Sequence, residues 1–455
     1  MLDQTPKEIF ERTALRVNPC KTCQPVGALF AALGVKRCMP HSHGSQGCVS
    51  YHRTFLTRHF KEPAIASSSS FTEGASVFGG GANLTASVKN IFDVYDPDII
   101  AVHTTCLSET IGDDLNSFIM ELELPDDKLV VHCNTPSYVG SHVNGFANMT
   151  AGFIKYLADR RAPKSGRVGF FPGFVNPGDL REYKRLMGLM GTEYVMLPDH
   201  TGVLDAPMTG TYRMFPDAGT EIDDIRALGG VRAALAMGPF ASTEPALALK
   251  AKCGVDSSIM PLPFGVSGTD SFLMKLSELS GNPVPKELED ERGRLVDLML
   301  DANPYFYGKT CAVFGDPDTV VGITSLALEL GMLPKYVITG TPGEAFVEAA
   351  GRLLEAYDAR QGAKIKAAAD LFELHQWIKN EKVDLLIGSS YAKQIAKAED
   401  IPFVRAGFPV LDRYGHAYQP LIGYQGSLLL AGRIADAIMD RLDRDCADED
   451  LELVL

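Results

Sequence analysis

Short apolar runs recur along the chain, each followed by a loop of small and polar residues and then by a segment with helical spacing. The pattern appears in DIIAVHTTCLSETIGDD, KLVVHCNTPSYVGSH, RVGFFPGFVNPGDLREYKRLM and VRAALAMGPF. It returns in TCAVFGDPDTVVGITSLALEL, KYVITGTPGEAFVEAAGRLLEAY, VDLLIGSSYAKQIAK and FVRAGFPVLDRYG. Continuous apolar strands alternating with helices predict βαβ units whose parallel sheets are buried on both faces. Right-handed crossovers make these α/β, Rossmann-like layers, each a mostly parallel sheet flanked by helices. Ligands of such sheets collect at the carboxyl ends of the strands. Cys106 follows DIIAVHTT and Ser137 follows KLVVHCNTP, so both are expected on that side. Cys133 falls inside its run and reads as a packed core thiol.

A chain of 455 residues is too long for one hydrophobic core. Basic, Pro- and Gly-bearing ADRRAPKSGRV (158–168) separates a helical segment from a strand, and LDANPYFYGKT (300–310) does the same further on. Three domains are therefore expected: 1–160, 161–302, and 303–455 with a C-terminal helix and acidic tail.

Charge narrows the partners. The formal net charge is -14, with acids crowded into DRDCADEDLELVL, which disfavours nucleic acid because phosphate neutralisation needs a basic face. The start, MLDQTPKEIFERTALRV, has no apolar stretch of a secretory signal, and no run is long and apolar enough to span a membrane. Nine cysteines in such a chain are expected as thiols, with the cytoplasm as the location.

Those thiols are unevenly spread. Cys20, Cys23, Cys38, Cys48, Cys106 and Cys133 all precede residue 143, as do His41, His43, His52, His59, His103, His132 and His142. Buried cysteines acting as small hydrophobes explain any one of them. The clustering of both ligand types points instead to a metal or cluster site in the first domain.

Other motifs are incomplete. GKT (308–310) lacks the upstream glycine of a phosphate loop and precedes a strand, and FGGGANL lacks the third glycine of a dinucleotide fingerprint. Any ATP is thus expected to be hydrolysed by another protein. CKTC (20–23) has no second close pair for zinc and does not open a helix after a strand as a redox dithiol would. Asp297 and Asp301 fall on one helical face, either as a solvated stripe or as part of a hard-cation site.

NPCKTCQPVGA, HGSQGCVSYHR, TTCLSETIGDDL and NTPSYVGSHVNGF make the chain resemble the beta subunits of nitrogenase molybdenum–iron proteins. The likeness continues through FTEGASVFGGG, SFLMKLSELSGNPVP, ERGRLVDLMLD, FGDPD and AGFPVLDRYGH, in order and over nearly the whole chain, in the form without an N-terminal extension. The resemblance implies an α2β2 tetramer of chains with three Rossmann-like domains and an [8Fe-7S] P-cluster shared between alpha and beta subunits. Cys23, Cys48 and Cys106 would be its thiolate ligands here, and Ser137 the serine that binds iron in the oxidised cluster. Cys20 stands where a small non-ligand residue is expected. Phe78 matches the docking position of the ATP-hydrolysing iron protein. Glu62 and the Lys61 carbonyl, with Asp297 and Asp301 of the other beta chain, match a site for a further divalent cation or iron at the β–β contact. The iron–molybdenum cofactor would belong to the alpha subunit, and the chain would relay electrons towards it for reduction of dinitrogen to ammonia.

The chemistry agrees with that transfer. Thiolates hold iron–sulfur clusters, whose potentials follow hydrogen bonding and burial. Gly44 and Gly47 are expected to let backbone approach the cluster without a Cβ in the way. His52, Leu56 and Phe60 fall on one helical face behind Cys48. The alternatives are a non-catalytic scaffold for cofactor assembly, which often lacks the full ligand set, a vanadium or iron-only nitrogenase beta subunit, and, more distantly, a dark-type protochlorophyllide reductase subunit.

Overall fold

The computed structural model describes residues 4–10, 12 and 16–451; the remainder of the N-terminal segment and the last four residues of the acidic tail lie outside the described residues. Three sheets appear, and every strand pairing within them is parallel. In spatial order the first holds Ser67–Ser68, Cys38–His43, Ile99–Thr104 and Leu129–Cys133. The second holds Tyr194–Met196, Val168–Phe171, Ala233–Met237 and Ser257–Met260. The third holds Lys364–Lys366, Leu333–Thr339, Thr310–Gly315, Leu385–Gly388 and Phe403–Arg405. The α/β architecture is therefore the expected one, and its apolar runs are the strands, buried throughout in Ile99–Thr104, Val168–Phe171 and Leu385–Gly388.

Two compact units emerge: Thr22–Pro261, with the first two sheets, and Leu262–Leu455 together with the residues up to Lys21. Helices Gly265–Ser280 and Lys286–Asp301 group with the third sheet. The division into three domains at 160 and 302 remains our proposal, with one sheet in each segment as its support.

One central strand breaks the expected pattern. Cys38–His43 reads CMPHSH, yet all six residues are buried between two neighbours. Its polar side chains are hydrogen-bonded inside, which offsets the cost of burying them. Pro40 precedes the short pairing with Ser67–Ser68, and its carbonyl accepts from the Ser67 hydroxyl at 3.1 Å.

Among the described residues, no helix is long and apolar enough to cross a membrane.

Candidate functional site

The first sheet delivers three chain segments to one edge. Strand Cys38–His43 leads into helix Gln46–Phe60, whose first turn carries Cys48; Ile99–Thr104 leads into helix Cys106–Ile111, which opens on Cys106. Leu129–Cys133 leads into the loop holding Ser137. The register sets these carboxyl ends level, since His43 pairs with Thr104 and His103 with Cys133. Cys23 arrives separately as the residue capping the start of helix Gln24–Leu33.

Hydrogen bonds stitch the four segments together. The buried Gln24 amide donates to the carbonyls of Pro136 and Val139 at 3.2 and 2.9 Å, tying the Ser137 loop to the residue after Cys23. The Thr135 backbone donates to Thr104 Oγ1 at 2.6 Å, and the Thr135 hydroxyl to the Thr104 carbonyl at 2.7 Å. Thr105 Oγ1, beside Cys106, donates to the His43 carbonyl at 3.1 Å. Gln24, Thr105 and Thr135 carry no ligand chemistry of their own, so only their contacts reveal the part they play.

Close backbone approach completes the frame. A Cβ on Gly27 would sit 1.7 Å from the His142 carbonyl oxygen, and one on Gly145 would sit 1.9 Å from that of Gln24. Helices Gln24–Leu33 and His142–Leu157 therefore cross backbone to backbone, which fixes Cys23 against the loop that precedes the second helix. At Gly44 a Cβ would strike Thr105 Oγ1 at 2.1 Å, so its bareness admits the threonine next to Cys106. Gly47 meets only Ser45 Oγ, at 3.5 Å, and is otherwise open.

The thiols sense one another. Burial pushes Cys23 up to about 11, the nearby Cys48 adding to the rise, while the Thr22 side chain and the Val26 backbone oppose it. Burial also raises Cys48, with a further push from Cys106. Cys106 is exposed, and Cys23 and Cys48 are partly so. Raised in this way, the Cys23 and Cys48 thiols stay protonated on their own and ionise when a bound metal replaces the proton. Among the described residues, no group of three or more His, Cys, Asp or Glu side chains is gathered tightly enough to hold a single metal ion. Cys23 lies within electrostatic reach of Cys48, and Cys48 within reach of Cys106, with the partly exposed Ser137 loop tied to the same frame through Gln24.

The histidines cluster for a different reason. His41 contacts Ser67 and Ser69 at 3.0 and 2.8 Å; His43 contacts Ser69 and Asp113 at 2.8 and 3.0 Å. His59 meets Asn176 at 2.9 Å, His132 meets the Tyr156 hydroxyl at 2.6 Å, and His142 Nδ1 accepts from the Thr22 backbone at 3.3 Å. Burial depresses His41 to about 3 and His52 to about 4, so His41 and His52 are neutral hydrogen-bonding parts of the interior. As expected, His52, Leu56 and Phe60 share the buried face of their helix.

Cys20 packs with Phe314, Ile338 and Leu371 in the core of the other unit, so CKTC is neither a redox dithiol nor half of a zinc site. Cys133 closes its strand and is only partly buried, lining a cavity of roughly 600 Å³ with His132, Asn134 and Lys155. Lys61 ends helix Gln46–Phe60 in the left-handed conformation (φ 67°), turning the chain into the partly exposed Glu62. Asp297 and Asp301 are exposed in the final turns of helix Lys286–Asp301, where no basic residue balances the helix dipole. Phe78 is 90% exposed at the end of helix Glu73–Phe78, beside the 72% exposed Val77.

This fold and thiol-bearing edge define a class, and comparison with known proteins agrees. Residues 23–439 match the family model "Nitrogenase component 1 type Oxidoreductase", so the chain belongs to that family. It is 56% identical to the nitrogenase molybdenum-iron protein beta chain of Clostridium pasteurianum, over 100% of both chains. It is 37% identical to that of Azotobacter vinelandii, over 96% of this chain and 86% of the relative. A solved structure titled "Nitrogenase Cp1 at pH 6.5" superposes with a TM-score of 0.98 at 55% identity, covering 100% of both chains. A second, "Nitrogenase Cp1 at pH 5", shares the fold at a TM-score of 0.68 and 16% identity, over 97% of this chain and 92% of that one. The particular relatives are thus beta chains, and the chain is a beta subunit of component 1 within the nitrogenase oxidoreductase complex.

Proposed function

We propose that the chain supplies half of the ligands of a P-cluster, through Cys23, Cys48 and Cys106, with Ser137 as an additional ligand in the oxidised state. What supports this reading most is the level ending of three neighbouring strands at Cys48, Cys106 and the Ser137 loop, with Gln24 tying that loop to Cys23. The alpha subunit supplies the other ligands across the exposed edge, in an α2β2 assembly. When bound, the cluster supplies one-electron storage between the ATP-hydrolysing iron protein and the iron–molybdenum cofactor of the alpha chain.

The protein's own part is to hold and tune. Cys23, Cys48 and Cys106 give up protons to bind iron. Ser137 gives up its hydroxyl proton on ligation, which couples electron loss to proton loss. The exposed Val77–Phe78 pair offers an apolar contact for the iron protein. Glu62, the Lys61 carbonyl and the partner beta chain's equivalents of Asp297 and Asp301 hold a cation at the β–β contact. The cytoplasm is the location this reading requires.

Cys106→Ala in the assembled complex tests it. The P-cluster signature and dinitrogen reduction are expected to disappear together, and an intact signature with normal turnover would overturn the ligand assignment.

A further inference from the structure

One buried chain of polar groups ends on a proposed ligand. Cys23 Sγ lies 3.7 Å from His52 Nε2, and His52 Nδ1 lies 3.3 Å from Ser42 Oγ. Ser42 Oγ lies 2.8 Å from His103 Nε2. His52, Ser42 and His103 are 2%, 0% and 0% exposed. His103 Nδ1, at the far end, has no hydrogen-bond partner among the described residues.

The proton positions follow from the two ends. An iron-bound thiolate only accepts, so His52 carries its proton on Nε2 and donates to Cys23. Its Nδ1 is then an acceptor for the Ser42 hydroxyl. Ser42 has one proton to give, so its oxygen accepts from His103 Nε2–H, which leaves His103 Nδ1 a bare lone pair. That is the atom without a partner. The reverse polarity would strand a buried N–H there instead, and stranded donors are rarer than unused acceptors.

We propose that His52 is a positioning residue for the redox function: a neutral N–H donor, its tautomer set by Ser42 and His103, that stabilises charge on the Cys23 thiolate and raises the potential of the bound cluster. The inference rests on Cys23 being a cluster ligand, as argued above. Donors to cluster sulfur stabilise the more negative, reduced state, and outer partners of a ligand tune its metal. Helix Gln46–Phe60 thereby carries a ligand in its first turn at Cys48 and, one turn later, a donor to a ligand held by a different helix.

The test is an EPR-monitored redox titration, with iron analysis, of the purified complex of the full chain with its alpha partner. His52→Phe keeps a ring in the pocket and removes the donor; His52→Gln returns an N–H near the Nε2 position. Expected are unchanged iron content and a lower midpoint for His52→Phe, by about tenfold in the oxidation equilibrium, or ~59 mV for a one-electron step. His52→Gln is expected close to the unmodified complex. Ser42→Ala, a small deletion that leaves the helix intact, is expected to shift the midpoint the same way by less. In 15N-histidine-labelled complex, a nitrogen coupling present in the unmodified protein is expected to vanish in His52→Phe. Midpoints unchanged in both His52→Phe and Ser42→Ala would overturn the inference, and so would His52→Gln shifting as far as His52→Phe. An unmodified complex with no P-cluster signature would instead overturn the reading beneath it, before any variant is compared.

Discussion

Replacing Gly27 by alanine adds one methyl group where the structure has no room for it. That carbon would lie 1.7 Å from the His142 carbonyl oxygen, whereas ordinary contact begins at 3.4 Å, so helices Gln24–Leu33 and His142–Leu157 must part by about 1.7 Å. The obstacle is backbone and cannot rotate aside. Overpacking of this kind costs about 3 kcal/mol at the upper end of its usual range, and the better helix propensity of alanine returns up to ~1 kcal/mol. The net loss is about 2 kcal/mol, or roughly thirtyfold in a local opening equilibrium. A chain with two compact units need not unfold in one step. Native-state hydrogen exchange of the amides in the two helices is therefore the better assay than a melting curve. Exchange there is expected to accelerate roughly thirtyfold. Iron content is expected to fall too, because Cys23 and Gln24 begin the displaced helix. Gly293→Ala is the control: this helical glycine has nothing within 4 Å of its added carbon, so a gain of about 0.5 kcal/mol is expected. Gly27→Ala with exchange within about twofold of the unmodified chain and full iron would refute the argument that this crossing positions the site.

Four further outcomes can be checked. Ser137→Gly is expected to keep turnover but to flatten the pH dependence of the oxidised cluster's potential; an unchanged slope counts against its proton-coupled role. Asp297→Ala with Asp301→Ala is expected to weaken tetramer assembly in sedimentation without loss of cluster iron, and lost iron would show the cation site misplaced. Phe78→Ala is expected to slow iron-protein-driven turnover several-fold while the cluster spectrum stays intact; equal rates would remove it from the docking surface. His200 is depressed to about 4 by burial while its Nε2–H donates to the Phe30 carbonyl at 2.6 Å. A histidine lowered on folding contributes stability that is fully present above about pH 6.5 and is lost as the pH falls towards 4, here up to ~3 kcal/mol. His200→Gln keeps a donor but takes up no proton, so acid unfolding should shift to lower pH; an unmoved acid limb excludes His200 as its source.

The sequence made the sheets legible wherever strands are continuously apolar, as in Ile99–Thr104 and Leu385–Gly388, because burial on both faces leaves that signature. Cys38–His43 escaped it, since a strand of histidine, serine and proline is stable only through partners such as Ser67, Ser69 and Asp113, which the local sequence does not announce. Cys106 and Ser137 were visible as residues placed after apolar strands, whereas Cys23 and Cys48 stood out through the motifs shared with nitrogenase beta subunits. Their mutual arrangement was not visible, because it depends on contacts between distant segments: Gln24 with the Val139 carbonyl, Thr135 with Thr104, and Gly27 with the backbone at His142. Gly44 shows the difference well. A small residue before Cys48 was predictable, but the neighbour it makes room for is Thr105, which only the fold brings there.

The central claim is that Cys23, Cys48 and Cys106 bind iron together at one edge of the first sheet. Diffraction from crystals of the assembled complex, recorded at the iron absorption edge, tests it most directly. The account predicts anomalous density for several irons bonded to all three sulfurs and continuing into the alpha chain. Three sulfurs surrounded by protein atoms alone, with the iron located elsewhere, would contradict it.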